Sequence, residues 1–144
     1  MKKVLIILII LTNTSFALNF KESVEEYSKN NHGKTENIYI LNRCGGVLNY
    51  AGSKLIKENA ETAADFINSS AVALQYSAML YSKHSDVDIN KAININMEHI
   101  KKLEKKYRED GKENFLNNGK YVVGILGDDM FYCKGLISVL NTNG

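Results

Sequence analysis

Residues 119–141 read GKYVVGILGDDMFYCKGLISVLN, and how this stretch folds decides the architecture. Phe115, Gly119, Val122, Leu126, Asp129, Cys133, Leu136 and Leu140 recur at alternating steps of four and three, the spacing of one helical face. The competing reading is a β-hairpin, with strands over 121–126 and 130–133 and a turn at Gly127-Asp128-Asp129. Gly119, Gly124, Gly127 and Gly135 weaken the helix, because each interior glycine costs about 1 kcal/mol relative to alanine. The four-and-three spacing favours the helical reading, which turns Cys133 toward a core.

That choice draws support from a distant segment. Over residues 36–57, with Thr35 as the cap, Leu41, Cys44, Leu48, Ala51 and Leu55 form a second apolar face, widened by Ile40 and Val47. Cys44 therefore also faces inward. Gly45 and Gly46 interrupt this helix, so either it kinks there or another backbone packs closely against it. Only two cysteines occur in the chain, and in an oxidising compartment an isolated pair forms a bridge. A Cys44–Cys133 disulfide would join two helices across the core, so two independent readings agree.

The remaining helices follow the same period. A short one spans 19–31, with Asn19 as cap and Glu22 three residues on. The clearest spans 60–83 behind Asn59, with Ala63, Phe66, Ile67, Ser70, Leu74, Ala78 and Tyr81 as its stripe. A further helix opens at Ser85-Asp86-Val87-Asp88 as a capping box. It runs through Ile89, Ile93, Met97, Ile100, Leu103 and Tyr107, and Gly111 is the expected end. The expected fold is all-α: a small antiparallel bundle of four main helices with a short N-terminal one and one disulfide. An α+β fold with a C-terminal hairpin is the alternative.

The N-terminus reads as a cleavable signal peptide over residues 1–17. Lys2 and Lys3 precede an apolar run over 4–11, and Ser15-Phe16-Ala17 places small residues before the cut. The run is well short of the roughly 20 residues a spanning helix needs. The periplasm or the extracellular space is therefore the expected location, as one helical domain over 18–144 with no membrane span after cleavage. The chain holds 18 basic and 16 acidic residues, and Lys2 and Lys3 make up the difference. A neutral mature domain gives no electrostatic reason to expect nucleic acid as a partner.

Candidate chemistry is sparse. Asp129 falls on a core stripe one turn before Cys133, and a buried carboxylate needs partners. Arg43, beside Cys44, is placed to pair with it near the bridge. Asp129, Arg43, Asp128 and Tyr132 are the candidate ligand- or partner-binding residues. The competing reading makes Asp129 a structural group, hydrogen-bonded to a tyrosine or to Arg43 inside the bundle. Adjacent acids diverge on a helix, so Asp128 and Asp129 make a poor catalytic pair.

His32, His84 and His99 share no ligand spacing, and no metal or cofactor is expected. Asp86, Asp88 and Asn90 start like a calcium loop, but Lys91 stands where glycine is needed and Met97 where glutamate is needed. Lys101, Lys102, Lys105, Lys106 and Arg108 alternate with acids, and Glu98–Lys102 and Glu104–Arg108 are spaced as ion pairs on a solvated face. Eight tyrosines and no tryptophan fit core-rim packing or an interface. No Gly-x-Ser-x-Gly, phosphate loop or dinucleotide fingerprint occurs.

The expected function is a small exported protein-binding module of inhibitor or immunity type, engaging an envelope or secreted protein. The alternative is a small-ligand or ion carrier with a pocket between helices near Asp129. Enzymatic activity is left open, with the balance against it.

Overall fold

A computed structural model describes residues 20–142. The signal-peptide reading over 1–17 and the Asn19 cap lie outside the described residues. Five helices follow in order: α1 (Val24–Asn30), α2 (Lys34–Leu55), α3 (Ala60–Ser85), α4 (Ile89–Asn118) and α5 (Gly124–Thr142). No strand forms among the described residues, and the hairpin alternative is excluded because α5 runs straight through 124–142. The period that favoured a helix is realised: Leu126, Asp129, Cys133 and Ile137 are its buried residues. The expected Leu136 and Leu140 are half-buried beside them.

The helix α2 is the axis of the bundle. Every residue from 40 to 48 is buried, and α2 touches all four other helices. Its buried stretch is mostly apolar or glycine, and the two polar residues in it, Asn42 and Arg43, find partners on neighbouring helices. The glycine pair explains how α4 comes so close. A Cβ on Gly45 would stand 2.7 Å from Ile100 Cδ1, and one on Gly46 would stand 2.9 Å from Leu103 Cβ and 3.0 Å from the Glu104 backbone nitrogen. Of the two readings of this pair, close packing holds and the helix is continuous. On the other side, every buried residue of α3 is alanine or serine, and Ser70 Oγ donates to the Gly45 carbonyl at 2.8 Å.

Several expected boundaries move. Helix α1 opens at a capping box made by Ser23 and Glu26. Helix α2 starts after Gly33 without a side-chain cap, so Thr35 is already helical. Asn59 caps α3 as expected, accepting from the Thr62 N–H. Ser85 ends α3, Asp86 takes the left-handed conformation, and Asp88 alone caps α4. Gly111 does not end α4; a Cβ there would sit 2.0 Å from the buried Tyr50 hydroxyl, so the glycine makes room for that ring. The helix instead ends at Gly119, whose φ of 69° suits a residue without a side chain.

Cys44 and Cys133 form the expected disulfide, with Cα atoms 5.1 Å apart and both side chains fully buried. The bridge spans 89 residues of sequence, and the chain-entropy model assigns a closure of that length about 4–5 kcal/mol. No described helix is long and apolar enough to cross a membrane.

Candidate functional site

Two places in the bundle concentrate polar chemistry. The first lies beside the disulfide. Asp129 is fully buried, one turn before Cys133 on α5. Its Oδ2 accepts from Arg43 Nε at 3.0 Å, from Arg43 Nη2 at 2.7 Å and from the Tyr107 hydroxyl. Its Oδ1 accepts from the Val24 N–H at 2.6 Å, at the first turn of α1. A carboxylate there also meets the positive end of that helix. Arg43 Nη2 donates on to the Glu22 carbonyl at 2.6 Å, and its guanidinium lies 4.0 Å from the Phe20 ring centre. Phe20 in turn stacks on Tyr107 at 4.7 Å. One carboxylate thus ties together α1, α2, α4 and α5.

This cluster is closed. Both Asp129 oxygens are engaged, and the Arg43 side chain is only 3% exposed. Burial raises the Asp129 carboxyl above its ordinary value, while Arg43, the Tyr107 hydroxyl and the Val24 N–H pull it back toward ionisation. Burial and the neighbouring Asp129 together push the Tyr107 phenol well above its ordinary range. For Arg43, burial works against the charge, but Tyr107 and Asp129 outweigh it and raise the pKa. A buried pair of this kind holds position, and it leaves little polar surface for a ligand to reach.

The other two candidate residues stand apart from it. Asp128 is exposed on the outer face of α5, and the half-buried Tyr132 shares a hydrogen bond of 3.2 Å with Ser28 of α1. Tyr107, Phe20 and the Glu22 carbonyl escaped sequence reasoning. Tyr107 stood on the α4 stripe, but no local pattern linked it to a carboxylate 22 residues away.

The second place is a groove of about 420 Å³ between α2, α3 and α4. This size falls within the range of small-molecule sites. Its walls are apolar: Ile38 is buried, and Tyr39, Tyr81 and Leu103 are half-buried. Its rim is polar: Thr35, His84, His99 and Lys102 line it and are exposed. Asn42 completes the wall. Its Nδ2 donates to Asn96 Oδ1 at 2.8 Å, but its buried Oδ1 has no partner among the described residues.

The ion pairing on α4 shapes this rim. Glu98 was expected to pair with Lys102, four residues on; it pairs instead with Lys101 at 2.9 Å. Lys102 lines the groove, with Glu98 acting on it only through space. The second expected pair, Glu104 with Arg108, forms at 2.5 Å. The fold brings His84 and His99 to one rim although they lie on different helices. No group of three or more His, Cys, Asp or Glu side chains suited to a metal occurs among the described residues. Comparison with protein-family models, curated proteins and solved structures finds no match to this chain.

Proposed function

We propose that this chain is an exported binding protein without catalytic chemistry of its own, and that it binds a small molecule in the α2–α3–α4 groove. The single observation behind this reading is the contrast in saturation. The strongest polar groups, Arg43 and Asp129, are spent on each other, whereas the groove is apolar, open, and rimmed by side chains with polar atoms to spare. The carrier reading is kept, but its place moves from Asp129 to the groove. Export is supported by the Cys44–Cys133 bridge, since such bonds persist in oxidising compartments, and by the N-terminal signal pattern.

The test is a titration of the oxidised, mature chain with a panel of small apolar compounds, followed by methyl NMR. Ile38 and Leu103 resonances should shift, with the α5 methyls unmoved. A panel that shifts neither residue defeats the reading. Intact mass of protein from an exporting host checks the other half: loss of residues 1–17 and a reductant-sensitive gain of two hydrogens.

A second reading, binding of an envelope or secreted protein, is favoured by one observation. Phe131 on the outer face of α5 is 83% exposed, and Gly135, one turn later, has open space where a Cβ would stand. A bare helix glycine beside a projecting ring suits close approach by another surface. Cross-linking from position 131 in envelope extract should capture one defined protein; a ladder of unrelated products counts against it.

A further inference from the structure

The groove carries a charge pattern as well as a shape. No aspartate or glutamate lines it. Two acids next to lining residues make their closest contacts outside it: Glu98 pairs with Lys101 while still acting on Lys102 through space, and Glu36 folds back over Gly33. What remains at the rim is an ammonium on Lys102 and two imidazoles on His84 and His99. A neutral imidazole still offers one N–H donor and a charged one offers two. The groove lining thus sets Lys102, His84 and His99 against no carboxylate of its own, alongside an apolar wall built from Ile38, Tyr39, Tyr81 and Leu103.

We infer that the ligand of this groove is a small amphiphilic anion, with an alkyl or aryl body against the apolar wall and one carboxylate held at the rim by Lys102, His84 and His99. The inference rests on the groove being the binding place. Its physical basis is that burying an apolar body is favourable for any tail, whereas the rim distinguishes heads. Charge-assisted hydrogen bonds from lysine or imidazole to a carboxylate are about twice as strong as neutral ones. An alcohol head on the same tail can accept from these donors but brings no charge to meet the Lys102 ammonium, and an ammonium head meets like charge.

The experiment uses the full mature, oxidised chain and matched probes below their micelle concentrations: octanoate, octanol and octyltrimethylammonium, then 4-phenylbutanoate and 4-phenylbutanol. Affinity is read by methyl NMR at Ile38 and Leu103. Each carboxylate should bind at least about tenfold more tightly than its alcohol, the ratio that one charge-assisted bond supplies. The variant Lys102→Gln with His99→Gln should erase that ratio, with carboxylate binding loosened far more than alcohol binding. These positions are exposed, so the fold survives the change. Equal binding of acid and alcohol overturns the anion inference but leaves the groove reading standing, as does tighter binding of the ammonium probe. Failure of all five probes overturns both.

Discussion

Asn42 and Arg43 are neighbours on α2, yet they face two different environments. Arg43 enters a closed cluster where every strong polar group has a partner. Asn42 turns to α4 and to the groove, where its Oδ1 has none among the described residues. Successive residues on a helix point about 100° apart, so one step along α2 separates a structural clamp from a candidate binding surface. The lesson is that buried charge and functional chemistry need not coincide. A saturated ion pair contributes to which packing is adopted, while partly satisfied groups at an open groove remain available to something else.

The clamp side can be broken hardest. Replacing Cys44 and Cys133 together by alanine should cost up to about 4–5 kcal/mol, read from denaturant unfolding with and without the bridge. Little change would mean that the unfolded chain is already constrained. Asp129→Ala should cost about 3–5 kcal/mol, because it strands the buried Arg43 charge and frees the Val24 N–H. The double variant Arg43→Met with Asp129→Leu should recover much of that loss. If it does not, the stability lost lies in the Val24, Glu22 and Tyr107 hydrogen bonds that the pair completes, not in the two charges alone.

Next in size is the contact that lets α4 approach α2. Gly46→Ala should destabilise by about 1–3 kcal/mol, although alanine ordinarily favours a helix, because the added methyl meets Leu103 Cβ and the Glu104 backbone. A stabilised Gly46→Ala protein would show that the helices separate freely.

The pH response sharpens the same contrast. Burial raises the Tyr107 and Tyr50 phenols, Tyr107 further, through Asp129. In the unfolded chain these phenols lose their protons near pH 10. The folded state holds them longer, so their contribution is complete below about pH 10 and is lost as pH rises beyond it. Melting temperature should fall in that alkaline window, and Tyr107→Phe should make the fall shallower. An unchanged slope would remove Tyr107 from the account. The smallest effect belongs to the groove rim: Lys102→Gln should alter stability by less than about 0.5 kcal/mol while changing ligand preference, separating binding from folding.

By itself the sequence determined the helices, the disulfide pair and the inward turn of Asp129, because helical period is local and shows in the spacing of apolar residues; Arg43 was linked to Asp129 only through its place beside Cys44. It also marked Asp129 as a carboxylate in need of partners. Only the tertiary structure decided that Tyr107 and the Val24 N–H complete the cluster, that Gly111 makes room for Tyr50 instead of ending α4, and that His84, His99 and Lys102 share one groove. Those meetings depend on how each helix is rotated about its axis and where it crosses its neighbours. Small shifts in the packing of α2 against α3 and α4 set both, and no spacing within a single segment records them.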